Sequence, residues 1–253
     1  MSQDTPAGSP APSEDGLLGG RLRLRQPATG YRVAIDPVFL AAAVPAGPQD
    51  TILDVGSGVG AASLCLAARV SACRITGVEV QRDLVRLAGD NIALNDFTAR
   101  ISVMQGDLLN LPPRLAPGAF DHVMANPPFL ATGSATAPAD PGKATATLEG
   151  EASLAAWVRV ALAMVRAKGS LTFIHRADRL EALLALLAGK AGEITLYPLW
   201  PGGGKPAKRI IVRARKQIAS PTRLLPGMTL HAADGSFTAA AEAVLRDGAA
   251  VAM

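Results

Sequence analysis

The chain predicts an α/β fold, a single open sheet covered by helices, and three observations carry that expectation. Short apolar runs of strand length alternate with alanine- and leucine-rich stretches of helical period from Thr51 onward. The first of these runs, Thr51-Ile52-Leu53-Asp54-Val55, passes directly into the glycine-rich turn Gly56-Ser57-Gly58-Val59-Gly60. Four successive runs then bring Asp54, Glu79, Asp107 and Asn126 to their carboxyl ends, the rim where open α/β sheets hold ligands.

Taken in order, residues 1–20 are rich in Ser, Pro and Ala and are expected to form a disordered tail, with residues 21–253 a single domain. At 253 residues and 49% hydrophobic content, the chain can bury one large core. The start lacks a basic segment followed by an apolar one, which argues against a signal peptide. No run approaches the roughly 18 apolar residues of a membrane span, so a soluble, cytoplasmic protein without membrane contact is expected.

The alternation in Arg21-Leu22-Arg23-Leu24-Arg25 predicts an extended segment with three guanidiniums on one face. After the strand at 51–55 and its glycine turn, Ala61 to Val70 reads as a helix. This opening also fits a dinucleotide-binding fingerprint. Asp54 argues against that, since a pyrophosphate over this turn would meet a carboxylate, whereas a cationic ligand would be attracted. S-adenosylmethionine has no phosphate and carries a sulfonium and an ammonium group, and an acidic glycine loop suits it.

Arg74–Val80 predicts the second strand, ending in Glu79, 25 positions after Asp54. A carboxylate there can accept from both ribose hydroxyls, each hydrogen bond to a charged group contributing roughly 1.5–3 kcal/mol. Arg100–Gln105 predicts the third strand and leads to Gly106-Asp107-Leu108. Asp107 can accept from an adenine amino group while Leu108 packs on the ring, or it can cap its own turn.

Phe120–Ala125 predicts the fourth strand and delivers Asn126-Pro127-Pro128-Phe129. Two prolines stiffen the turn and remove two backbone donors, leaving carbonyls free. The Asn126 and Pro127 carbonyls, side by side, can accept both hydrogens of one planar NH2 group, favouring a pyramidal nitrogen whose lone pair is free to attack. Phe129 offers a ring face for a flat substrate.

Residues 131–150 form a long Ala-, Thr-, Gly- and Pro-rich stretch expected to act as a substrate-ordered lid. Ala152–Arg166, Ala177–Ala188 and Phe237–Leu245 read as helices, and Ser170–His175, Glu193–Tyr197 and Arg209–Arg215 as strands. Gly202-Gly203-Gly204-Lys205 is not a phosphate loop, because Pro206 replaces the required Ser or Thr. Cys65 and Cys73 read as reduced packing residues, and His122, His175 and His231 have no ligand spacing, so no metal is implied.

The motifs DVGSGVG, VEV, QGDLL and NPPF together resemble class I S-adenosylmethionine-dependent methyltransferases that modify amines. From Leu24 to about Arg215 the chain is similar to the bacterial tRNA adenine-N6 methyltransferase family acting at position 37 of valine tRNA. That resemblance implies a Rossmann-like, seven-stranded, mostly parallel sheet with an antiparallel last strand. It implies S-adenosyl-L-methionine held by Asp54, Gly56, Gly58 and Gly60 around the methionine part, Glu79 on ribose, and Asp107 with Leu108 at adenine. Asn126, Pro127 and Phe129 would then serve the target amine. Gly30 to Leu40 is similar to the segment such enzymes place before the glycine loop, which puts Asp36 near the cofactor pocket. The chain departs from the family at Phe129, where Tyr is commoner, and in lacking a basic-aromatic cluster in 131–150.

Charge placement bears on the partner. The first twenty residues hold three acids and no base, so the formal +4 of the chain becomes +7 from Arg21 onward. Arg21, Arg23 and Arg25 form one basic stretch, and Lys205, Lys208 and Arg209 open a second that runs to Arg223; both are candidates for phosphate contact with RNA, tRNA above all. The expected reaction is methyl transfer to the exocyclic N6 amine of an adenosine in tRNA. Three alternatives stay open. A release-factor glutamine methyltransferase shares the NPP-aromatic turn but carries an extra helical domain for which the region before Leu53 is short. A ribosomal RNA guanine-N2 enzyme and a non-catalytic RNA-binding protein with this fold are the others. Oligomeric state, monomer or homodimer, is not legible.

Overall fold

In a computed structural model, residues 12–28, 32–128 and 152–253 are described. A nine-stranded sheet runs through the molecule, and a separate two-stranded hairpin lies beside it. The hairpin pairs β1 (Ser13–Leu17) with β2 (Leu22–Gln26). The main sheet contains β3 (Thr51–Val55), β4 (Arg74–Glu79), β5 (Ile101–Gln105), β6 (Phe120–Ala125), β7 (Val165–Arg176), β8 (Ala191–Trp200) and β9 (Arg209–Lys216). Two short additions, β10 (Arg223–Leu224) and β11 (Met228–Thr229), both pair with β8.

The spatial order of the seven principal strands is β8-β9-β7-β6-β3-β4-β5, with β9 antiparallel to both neighbours and the rest parallel. This is the expected seven-stranded sheet with its antiparallel last strand, extended at one edge by β10 and β11. Strand order reverses between β3 and β6, so the crevice above their carboxyl ends is the switch point of the sheet.

Helices α1 (Asp36–Ala43), α2 (Ala61–Arg69) and α3 (Arg82–Leu94), with α6 (Ala239–Leu245), cover one face; α4 (Leu154–Met164) and α5 (Leu180–Leu187) cover the other. Each face has its own apolar core. One centres on Phe39, Leu64, Leu66 and Ile75, the other on Leu53, Phe173, Leu171 and Leu183.

Three departures from the sequence expectation have local causes. Residues 12–20, expected to belong to a disordered tail, enter a hairpin whose Leu22 and Leu24 are buried in the first core; residues 1–11 lie outside the described set. The helix expected over 152–166 ends at Met164, because Val165 already pairs with Phe120 and opens β7. A register shift between Phe120 and His122 then absorbs Arg166–Gly169 before regular pairing resumes at Ser170. Helix α3 is additional to the elements expected from sequence: its inward row of Leu87, Ala88, Asn91 and Ile92 includes an asparagine, which weakens the apolar period.

Candidate active site

The glycine turn after β3 is built against β4. The N–H groups of Gly56 and Ser57 both donate to Val78 O, at 2.8 and 3.0 Å, and Gly60 N–H donates to Ser57 O at 2.9 Å. Gly56, Gly58 and Gly60 all adopt positive φ, at 67°, 55° and 86°. The need is greatest at Gly56: a Cβ there would lie 2.2 Å from Cη2 of Trp157, whose indole packs across the turn from α4. Trp157 was not singled out in the sequence, and nothing in its local pattern marks it apart from a core aromatic.

Glu79 ends β4 as expected and is buried. Its Oε2 accepts from Gly58 N–H and its Oε1 from Gln81 N–H, both at 3.0 Å. Each carboxylate oxygen retains acceptor capacity, so two ribose hydroxyls can still be taken while the backbone bonds fix the carboxylate in place. The same carboxylate therefore shapes the glycine turn, a role invisible in spacing alone.

Asp54 is buried beneath the turn, where its Oδ2 accepts from Ser63 Oγ at 2.7 Å. Burial pushes its carboxyl up to about 7, the Ser63 hydrogen bond opposing the rise and the nearby Glu79 charge adding to it. Because the folded value lies above the ordinary one, the neutral form stabilises the free protein below the usual carboxylate range, and that contribution is lost as pH rises through about 7. A bound cation reverses the preference and favours the carboxylate. The affinity for S-adenosylmethionine is therefore expected to fall roughly tenfold per unit as pH drops below about 7, and to level off above it. Calorimetric titration across that range checks this, and Asp54→Asn should flatten the profile; a flat wild-type profile would rule the linkage out.

At the end of β5, Asp107 uses Oδ1 to accept from Leu109 N–H at 2.8 Å, so it does cap its own turn, with Oδ2 remaining for a ligand. Leu108 is half-buried and packs on the second core. Gly106 N–H donates to Glu79 O at 3.0 Å, tying this turn to the neighbouring strand end.

At the end of β6, the Asn126 side-chain oxygen Oδ1 is buried and makes no hydrogen bond. The pairing of β3 with β6 sets Val55 opposite Ala125, so Asn126 stands beside the glycine turn. A buried acceptor without a donor costs roughly 1–3 kcal/mol, and such an atom in a functional cleft calls for a ligand N–H. Pro127 is buried and Pro128 half-buried behind it; Phe129 and the expected lid at 131–150 lie outside the described residues.

The remaining expected site residues are dispersed. Asp36, at the start of α1, is buried and pairs with Arg209 of β9 at 2.8 Å, which joins the first helix to the last long strand. The hairpin arginines do not present a free row. Arg23 and Arg25 both bind Glu14 of β1, at 2.7 and 3.3 Å, and Arg21 donates to the carbonyls of Leu18 and Arg246. The acidic β1, taken as tail in the sequence, supplies the partner that spacing could not reveal. The second basic stretch is divided by the sheet: Lys205, Lys208 and Arg209 lie at the rim bearing Asn126, whereas Arg215 and Lys216 lie at the opposite rim, bonded to the carbonyls of Lys168 and Val165.

Both cysteines are buried free thiols, Cys73 Sγ donating to Val70 O at 3.3 Å and burial pushing the Cys65 thiol up to about 12. His122 sits between Ser170 and Asp50, a packed polar contact far from the rim. Among the described residues no His, Cys, Asp and Glu group could hold a metal ion, and no helix is long and apolar enough to cross a membrane.

Comparison with known proteins agrees with this arrangement. The family described as methyltransferase small domain matches residues 33–140. A tRNA1(Val) (adenine(37)-N6)-methyltransferase of Vibrio parahaemolyticus is 26% identical over 82% of this chain and 84% of its own length. The protein of the same name from Porphyromonas gingivalis is 31% identical over 64% of this chain and 66% of its own. Among solved structures, a predicted O-methyltransferase of Agrobacterium tumefaciens superposes with a TM-score of 0.72 at 24% identity, over 86% of this chain and 99% of that one. Geranyl diphosphate methyltransferase with SAM does so with a TM-score of 0.51 at 13% identity, over 71% and 84%. The structural likenesses speak for the fold; the domain match spans the glycine turn, Glu79, Asp107 and Asn126 together, and the chain is accordingly an S-adenosylmethionine-dependent methyltransferase with a Rossmann-like, class I fold, similar over residues 33–140 to the methyltransferase small domain.

Proposed function

We propose that the enzyme methylates the exocyclic N6 amine of an adenosine in tRNA, with Asn126 as the residue that orients the amine. The observation that carries this reading is the buried, unpartnered Oδ1 of Asn126 beside the glycine turn. An amine N–H is a donor that such an acceptor lacks, and a carbon nucleophile would leave it unpaired. The likeness to enzymes named for adenine-N6 methylation of valine tRNA supports the choice of amine and of RNA.

S-adenosylmethionine supplies an electrophilic methyl group on a sulfonium. The chain's own residues do the rest. Asn126 Oδ1 and the Pro127 carbonyl accept the two amine hydrogens, which localises the nitrogen lone pair and points it toward the cofactor side of the crevice. Asp54 and Glu79 place negative charge and hydroxyl acceptors under the cationic nucleoside, with Asp107 at its base. The target adenine reaches the site unpaired, as bases in RNA loops are, or flipped from its stack. No strong general base is required, since the alkylated amine is acidic enough to lose its proton to water.

The test is transfer of labelled methyl from S-adenosylmethionine, with total unmodified tRNA, ribosomal RNA and bacterial release factors offered in parallel and nucleoside analysis of the product. Label as N6-methyladenosine in tRNA is the expected result. Label confined to protein or to guanosine would overturn the reading.

A further inference from the structure

The structure assigns the docking of RNA phosphates to a ledge at the catalytic rim, formed by the end of β7, the β8–β9 turn and the start of β9, with Lys205 and Lys208 as its contacting residues. This rests on the RNA reading above and specifies which surface serves it. Arg176 and Arg209 are cross-strand partners in the β7–β9 ladder, a like-charge pairing that ordinarily destabilises a sheet. Arg176 pairs with Asp178 and Arg209 with Asp36. Lys208 is fixed between them and β8: its carbonyl accepts from Ala177 N–H at 3.2 Å and its N–H donates to Leu199 O at 3.3 Å. Lys205 sits in a turn closed by its N–H to Gly202 O at 3.3 Å.

Lys205 and Lys208 are exposed, and among the described residues neither side chain makes an ion pair. Buried His175, beside this ledge on β7, is held down to about 4, by burial first and then by the charges of Arg179 and Arg209, with Asp178 opposing. Register places this ledge beyond the β6 end: Ala125 pairs with Phe173, three residues before Arg176. A nucleic acid whose unpaired base enters at Asn126 therefore lays its backbone toward β7 and β9. On the hairpin, by contrast, Glu14 occupies the guanidiniums of both Arg23 and Arg25.

The experiment is equilibrium binding of unmodified tRNA over a salt series, using the full chain. Each phosphate contact removed lowers the slope of log affinity against log salt by about 0.7 to 0.9. The pair Lys205→Ala with Lys208→Ala is expected to reduce the slope by roughly 1.5 and weaken binding at least tenfold, with S-adenosylmethionine affinity unchanged. Arg23→Ala with Arg25→Ala should leave the slope as it is. An unaltered slope for the lysine pair, or a loss in the hairpin pair instead, overturns the ledge. Absence of any salt-dependent tRNA binding by the wild-type protein would overturn the RNA reading itself, so the two failures are distinct.

A separate observation supports a second proposal: we infer that Asn91 is a positioning residue for the cofactor turn. Its Oδ1 accepts from Arg25 N–H at 2.7 Å, and its Nδ2 donates to Arg25 O at 2.9 Å and to Val59 O at 3.0 Å. Asn95, one turn on, repeats the pattern on Arg23, at 2.9 Å for the N–H and 2.7 Å for the carbonyl. The two amides thus act as a surrogate strand edge for β2. Only Asn91 also grips the residue between Gly58 and Gly60, and it is fully buried.

Asn91→Asp keeps the acceptor for Arg25 N–H and removes the donor to Arg25 O and to Val59 O. It should raise the Kd for S-adenosylmethionine at least tenfold while kcat at saturating cofactor stays within about threefold. Asn95→Ala removes both bonds to Arg23 of the hairpin without touching Val59 and should leave that Kd unchanged. Equal effects on Kd in the two variants, or a lowered Tm alone in Asn91→Asp, would show a purely structural role.

Discussion

Replacing Asn126 with alanine is expected to lower methyl transfer by roughly two to three orders of magnitude, the scale seen when one preorganised polar group at a reacting centre is removed. Cofactor affinity should stay within about threefold, because the groups proposed to hold the cofactor belong to β3, β4 and β5. Stability should not fall. Oδ1 is buried without a donor in the free protein, so its removal relieves a desolvation cost of about 1–3 kcal/mol and offsets the lost packing. Few substitutions at the end of a core strand combine loss of activity with an unchanged or raised Tm, and a site that holds an acceptor for its substrate should show that combination. Asn126→Asp retains an acceptor oxygen and should keep more activity than Asn126→Ala. Single-turnover rates, cofactor titration and thermal melts on the three proteins suffice. A parallel collapse of cofactor binding in Asn126→Ala would mean the residue belongs to the cofactor site instead.

The parts of this site that could be read from sequence share one property: they occupy strand ends in a fixed order. Asp54, Glu79, Asp107 and Asn126 were legible because each follows an apolar run and because parallel topology carries successive run ends to one rim. Side chains whose role depends on a distant partner were not. Ser63 holds Asp54 across nine positions, Asn91 reaches Val59 across 32, and Trp157 crosses from the other half of the chain to cover Gly56. Helical or core-aromatic signals are what their local sequence offers, and packing alone decides which of them matters. Charge was misread for a related reason. The arginines of β2 have the spacing of a phosphate-binding row, yet the one acid that occupies both, Glu14, lies within eleven positions in a segment whose Ser and Pro content conceals a strand. Gly19-Gly20, both at positive φ between the two hairpin strands, was the available turn signal.

The second large effect falls on Gly56. Gly56→Ala is expected to weaken S-adenosylmethionine binding at least a hundredfold and to lower Tm by several degrees. Two costs combine. The backbone stands at φ 67°, where a side chain costs about 1 kcal/mol relative to glycine. The larger cost is steric: the new methyl would lie 2.2 and 2.7 Å from Cη2 and Cζ3 of Trp157, a rigid ring held in the second core among Leu53, Val55 and Ala161. A ring so enclosed cannot swing aside without opening that core, so the turn yields instead, and with it the Gly58 N–H that fixes Glu79. The two contributions separate in a double-mutant cycle with Trp157→Leu. If the ring is the obstacle, Gly56→Ala costs much less in the Trp157→Leu background, with a coupling of at least about 1 kcal/mol and partial recovery of cofactor affinity. If the penalty is the same in both backgrounds, backbone conformation alone sets it, and Trp157 does not act as the wall of the cofactor turn.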